Sequence, residues 1–230
     1  MGDLFLMNNL EILYEDNHII VVFKPSNILS QADSTGDIDM LTLIKDYIKE
    51  KYQKPGNVYL GLIHRLDRPV SGVMVFAKTS KAASRLSEQV RNHDLTKRYL
   101  AVVNGILPEK NGEFEDYLLK LENGNTIVVD RLKGKKSILK YQVLEEYEKY
   151  SLVDIELITG RHHQIRVQFA SRKFPLYGDW RYGYKDSTFL ALCSYQLSFL
   201  HPVTKERLFF QKYPEIDEIY KNFSILRKTV

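Results

Sequence analysis

The 230-residue sequence predicts an α+β fold with a largely antiparallel sheet. Three observations carry that expectation. Apolar runs of strand length outnumber helical patterns. These runs follow one another in hairpin-like succession, separated by turn-like polar clusters. No internal repeat, low-complexity tract or linker interrupts them, so residues 1–230 are expected to form a single domain, with room for two lobes and a real core.

Taken in order, "EILYEDNHIIVVF" reads as a hairpin about a turn at Glu15-Asp16-Asn17. "KPSNILSQADSTGD" is a loop by composition. In "DMLTLIKDYIKEKY", Leu41, Ile44, Tyr47 and Ile48 recur at helical spacing, with Asp39 as N-cap. "VYLGLI" and "GVMVFAK" are strands flanking a polar interruption. From Ser80 to about Asn92 the repeat of Ala82, Ala83, Leu86 and Val90 predicts a helix, its exposed side carrying Lys81, Arg85 and Arg91. "KRYLAVVNG" resumes strand character and stops at Asn104-Gly105, followed by strands in "TIVVD", "SILKYQVLEEY" and "YSLVDIELITG". "HHQIRVQFASR" has the spacing of a short helix with Ile165 and Phe169 on one side. "LALCSYQLSFLHP", a turn at "VTKE", the strand "RLFF" and a last helix complete the chain.

Composition narrows the function classes. Hydrophobic residues make up 44% and charged residues 27%, ordinary for a soluble globular protein. No apolar run approaches a membrane span, and the first residues lack a signal-peptide pattern. The single cysteine, Cys193, excludes an intramolecular disulfide and fits a reducing compartment, so the expected location is the cytoplasm. A net charge of +4 and an isoelectric point near 8.9 lean mildly towards polyanionic partners. The 15 tyrosines and 11 phenylalanines include candidates for stacking on unpaired bases, although core packing accounts for most such rings.

Three constellations could hold chemistry. In "GLIHRLDRPVSGVMVFAKT" the carboxylate of Asp67 stands between Arg65 and Arg68, and Pro69 and Gly72 fix a turn between two apolar strands. A charged cluster of this kind is commonly a surface ion pair. Nearby cations also favour a charged carboxylate, which can attack carbon as a nucleophile. A kinase catalytic loop is excluded, because Leu66 separates the aspartate from His-Arg and neither a Gly-rich phosphate loop nor Asp-Phe-Gly is present. In "ITGRHHQIR", His162 and His163 open the expected helix; neighbours there point about 100° apart and lack partners at ligand spacing, so no metal is expected. Arg161 and Arg166 at that helix start suit an anion, either a phosphate or a carboxylate. Third, Tyr99 stands beside Lys97 and Arg98, and by itself reads as a half-buried strand tyrosine.

The order of "HRLDRPVSGVMVFAK", "KRYLAVVNG", "TGRHHQIRVQFA", "YGDWRYG" and "LSFLHP", with the opening "IIVVFKPSNIL", resembles the ribosomal-large-subunit (RluA) type of pseudouridine synthases from about Glu11 to Phe210. That resemblance implies the pseudouridine synthase fold: a mixed, mainly antiparallel sheet with flanking helices and a central basic cleft. It also implies isomerisation of uridine in ribosomal or transfer RNA by a monomer, with no cofactor and no metal. Carried over by motif, Asp67 is the catalytic aspartate and Tyr99 stacks on the target base. Arg166 pairs with the catalytic carboxylate, and Arg65 helps displace the flipped nucleotide. Departures are modest: His162 stands where threonine is common, and Cys193-Ser194 where His-Ala is frequent. The family's optional N-terminal S4-type domain has no counterpart in the sequence.

The implied chemistry breaks the base–sugar bond through an oxocarbenium-like sugar, which a carboxylate can stabilise or trap as in retaining glycosidases. Attack of Asp67 on the sugar, attack on the base, and abstraction of a sugar proton all fit these residues. Flipping the target base costs a few kcal/mol, which Arg65 and the Tyr99 ring are suited to offset. Two alternatives keep the same fold: an inactive RNA-binding protein, and an RNA N-glycosidase that releases uracil. Asp179 in "YGDWRYG" is expected to be a loop-forming residue beside the cleft.

Overall fold

In the first strand pair, apolar residues on both faces of one strand dictate that it is covered on both sides. The computed structural model describes residues 10–184, 189–215 and 219–227. Its contacts divide the chain into two compact units, one of residues 1–95 and 196–212, the other of residues 96–195 and 213–230.

In the first unit, β1 (Glu11–Glu15) and β2 (Ile19–Lys24) form the expected antiparallel hairpin. Its turn is fixed by Asp16, whose Oδ1 accepts the N–H groups of His18 and Ile19 at 2.7 and 2.8 Å. β2 pairs antiparallel with β4 (Ser71–Ala77), from Ile19 opposite Ala77 to Lys24 opposite Gly72. The apolar stretch before the polar interruption yields only the two-residue β3 (Gly61–Leu62), on β4. α1 (Met40–Lys51) starts as the sequence predicts, with the Asp39 side chain accepting the Thr42 N–H at 3.1 Å. α2 (Ser80–Arg91) is capped by Thr79, whose hydroxyl accepts the Ala82 N–H at 3.2 Å. Ile19, Val21, Val73, Val75 and Ala77 of the strands pack with Ala82 and Leu86 of α2. Leu197 and Phe199 of β10 (Leu192–Leu200), whose second half pairs with β11 (Arg207–Gln211), complete that core.

The second unit holds an antiparallel run of β5 (Thr96–Asn104), β9 (Tyr150–Leu157), β8 (Lys135–Tyr147), β6 (Asn111–Lys120) and β7 (Thr126–Val129), paired in that spatial order. β6 is absent from the sequence reading. Of its ten residues only Phe114 and Leu118 are buried, too sparse a pattern to stand out. α3 (Gln164–Ser171) buries Phe169, whose ring meets Phe114 and Tyr141 edge-on at 5.0 and 5.9 Å. α4 (Ser224–Arg227) is the expected last helix, its first N–H groups held by Glu145. One expectation fails: α3 begins after the two histidines, not with them. His163 precedes it in the left-handed region, at φ 51°, which a continuing helix does not allow. Among the described residues no helix is long and apolar enough to cross a membrane.

Candidate active site

The loop around Asp67 owes its shape to backbone carbonyls that the loop after β2 captures. Lys24 is fully buried, yet its ammonium donates to the carbonyls of Pro25, Ile28 and Arg68 at 2.9, 2.7 and 3.1 Å. Ser30 donates to the Leu66 carbonyl at 2.7 Å and accepts the Leu66 N–H at 3.0 Å. Ser26 donates to the Pro69 carbonyl at 2.9 Å, and the Asn27 N–H donates to that of Arg68 at 2.9 Å. The residues on both sides of Asp67 are therefore pinned. The Val70 N–H closes the turn on the Asp67 carbonyl at 3.0 Å.

Asp67 itself is half-buried, and Arg65 and Arg68 are exposed. Neither arginine pairs with it. Arg68 instead bonds Asp37 at 2.6 Å, with both side chains about half exposed, and the Asn27 carbonyl at 3.3 Å. Arg65 makes no hydrogen bond or ion pair among the described residues. Charge alternation in the sequence therefore does not give the contacts: Arg68 braces the loop against Asp37.

In the second unit the turn between β9 and α3 is organised by Gln164, the first residue of the helix. Its Oε1 accepts the Thr159 hydroxyl at 2.9 Å and the Arg161 N–H at 3.0 Å, and its Nε2 donates to the Ile138 carbonyl at 3.1 Å. Arg161 is exposed, its Nε donating to the Lys136 carbonyl at 3.1 Å. Arg166 is buried on α3, and its guanidinium forms a two-pronged pair with Asp179: Nε to Oδ2 at 2.8 Å and Nη2 to Oδ1 at 2.7 Å. Such planar fork-to-carboxylate pairing fixes orientation as well as charge. Asp179 is 1% exposed and also accepts the N–H groups of Arg181 and Tyr182 at 3.1 and 3.2 Å, so it does shape its loop. Its role as the Arg166 partner escaped the sequence reading, since thirteen positions separate them and no periodicity links them.

The Tyr182 ring faces the Arg166 guanidinium at 5.2 Å. Its oxygen accepts the Thr126 N–H at 2.8 Å and shares a hydrogen bond of 2.7 Å with His163 Nδ1. His163 is held neutral: burial, then the charges of Arg166, His162, Arg181 and Lys120, push its pKa down to about 2. The rings of His162 and His163 stack at 3.7 Å, with His162 Nδ1 2.9 Å from the Thr126 hydroxyl. Rather than diverging from a helix face, the two rings fill one turn. No group of three His, Cys, Asp or Glu among the described residues could hold a metal ion.

Tyr99 lies in the middle of β5, opposite Ile155 of β9, and is 5% exposed. Lys97, two positions earlier, is also buried on the same side of the strand. Arg98 points to the other side, where it meets Asp154, whose Oδ1 also accepts the Tyr195 hydroxyl at 3.1 Å.

The sequence model of a family described as RNA pseudouridylate synthase matches residues 18–171. "Ribosomal large subunit pseudouridine synthase C" of Buchnera aphidicola subsp. Baizongia pistaciae is 34% identical over 219 residues, covering 88% of this chain and 66% of that protein. "Ribosomal large subunit pseudouridine synthase D" of Neisseria meningitidis serogroup A is 35% identical over 236 residues, covering 95% of this chain and 61% of that one. The chain thus spans about two thirds of the length of these curated relatives. Among solved structures, "Human RNA Pseudouridylate Synthase Domain Containing 4" superposes with a TM-score of 0.77 at 22% identity, over 94% of both chains, a likeness of fold.

Proposed function

The chain belongs to the RNA pseudouridylate synthase family, and on that premise we propose that it isomerises uridine to pseudouridine at a specific site of a structured RNA. Ribosomal RNA of the large subunit is the favoured substrate, because the relatives at 34 and 35% identity carry that activity in their names. The family match runs from residue 18 to 171, across residues of both compact units, which supports treating residues 1–230 as one catalytic domain. We take it to work in the cytoplasm as a monomer without cofactor or metal.

The observation that carries the reading is the pinned loop of Asp67. A carboxylate that must meet C1′ of a sugar, or C6 of a base, has to be held within fractions of an ångström, and five hydrogen bonds with Lys24, Ser26, Asn27 and Ser30 hold the backbone around this one. In the reaction the N1–C1′ bond breaks, uracil turns in the pocket, C5 bonds to C1′, the C5 proton leaves and N1 gains one. Asp67 stabilises or traps the electron-poor sugar or base during the interval. Tyr99 provides a ring for uracil to stack on, and Arg65, without a partner among the described residues, fills the place of the flipped nucleotide. Arg166, whose guanidinium Asp179 holds in one orientation, is the residue assigned by motif to pair with the catalytic carboxylate. Arg161, on the exposed turn, meets phosphate.

The direct assay incubates the protein with a large-subunit ribosomal RNA transcript tritiated at uridine C5. Isomerisation releases tritium to water without free uracil. Free uracil in the products would identify an N-glycosidase, and neither product from an RNA that binds would identify an inactive binding protein.

A further inference from the structure

Lys97 is a buried lysine that none of the described residues holds. The residue is 8% exposed, and among the described residues no carbonyl, carboxylate, hydroxyl or ring engages its ammonium. Four other buried or half-buried cations do have acceptors: Lys24 three carbonyls, Lys78 the Glu15 carboxylate at 2.6 Å, Arg98 Asp154, and Arg166 Asp179. Taking an ammonium out of water without a counter-charge is costly, and folds normally avoid it. Burial accordingly lowers the affinity of Lys97 for its proton, with no opposing charge to restore it.

A second observation comes from Gly160, in the turn leading to α3. Its backbone is not in the left-handed region, so glycine is not needed there for conformation. A Cβ at 160 would meet one atom within 4 Å, the Lys97 nitrogen at 3.5 Å. The residue that glycine spares is thus the approach to the ammonium. Lys97 and Tyr99 share one side of β5 with Cα atoms about 7 Å apart, the reach of a base and the phosphate of its own nucleotide.

We propose that Lys97 is a substrate-binding residue that takes a backbone phosphate of the RNA whose base lies on Tyr99, entering past Gly160. This rests on the functional reading above, and supplies the counter-charge the fold omits.

The test compares the parent with Lys97→Met in binding a large-subunit ribosomal RNA transcript from 50 to 300 mM KCl, alongside thermal melts. Each phosphate neutralised contributes about 0.7–0.9 to the slope of log K against log salt. The variant should melt at the same temperature as the parent or higher, bind more weakly at 50 mM KCl, and show a salt slope smaller by about one. Lys97→Arg should restore the slope. An unchanged slope overturns the proposal, and does so alone if the parent still makes pseudouridine. Unchanged slope with reduced turnover places the ammonium on the uracil instead of a phosphate and also overturns it. A lower melting temperature with an unchanged slope would make Lys97 a structural residue. Failure of the parent to bind RNA overturns both this assignment and the functional reading.

Discussion

Lys24 and Lys97 both bury an ammonium, one beside the Asp67 loop and the other beside the turn before α3, and the chain treats them in opposite ways. Lys24 gives its protons to three backbone carbonyls, including that of Arg68, so its charge is spent inside the fold on holding the Asp67 loop. Lys97 gives its protons to none of the described residues. A charge that the fold satisfies contributes to stability, whereas one left unsatisfied lowers stability and is retained for a ligand. Arg166 is held in a third way, by the two-pronged pair with Asp179 that fixes its orientation.

The comparison breaks first at Lys24. Lys24→Met removes three charged hydrogen bonds, leaving the Arg68 carbonyl with the Asn27 N–H alone, and should destabilise the protein by about 3 kcal/mol or more. Lys97→Met should not destabilise it. Chemical denaturation of the two variants side by side reads this directly, and equal losses would erase the distinction. Next comes Asp179→Asn, which leaves the buried Arg166 guanidinium without its carboxylate. A loss of about 3 kcal/mol is expected, with turnover still measurable at a temperature where the variant is folded. Loss of all turnover in a folded variant would move Asp179 from positioning Arg166 into the chemistry.

The smallest effect is a pH slope. His163 has a folded pKa of about 2, below its ordinary 6.5, so in acid the unfolded chain takes up a proton that the folded chain refuses. Its neutral form therefore costs nothing above pH 6.5, and stability declines as pH falls below that value, by at most about 1.4 kcal/mol per pH unit. His163→Asn, a residue that tolerates the left-handed backbone, should flatten the difference between urea unfolding at pH 5 and at pH 8. A parent equally stable at both values, or a variant with the parent's slope, would contradict the assignment.

Local rules were enough for the β1–β2 hairpin, for α1 with its Asp39 cap and for α2, because each is specified by neighbours in sequence. β6 was missed where two apolar residues in ten gave no period. The histidine pair was misplaced because a left-handed backbone at His163 has no apolar signature, and the Gln164 side chain, bonded to Thr159 and Arg161, organises the turn before the helix. Motif order was enough to single out Asp67, Tyr99 and Arg166 as candidates. What it could not give were their supports: Lys24, Ser30 and Asp179 act over 13 to 44 positions through hydrogen bonds that follow no spacing rule.

The central claim, that the carboxylate on the pinned loop performs the isomerisation, is tested most directly by the turnover of Asp67→Asn on the C5-tritiated ribosomal RNA transcript. The substitution keeps size and shape but removes the charge and the nucleophilic oxygen. With a melt confirming that the variant is folded, the account predicts tritium release below detection and RNA affinity near the parent's, since lysine and arginine contacts to phosphate supply most of the binding. Tritium release at a rate near the parent's would contradict it.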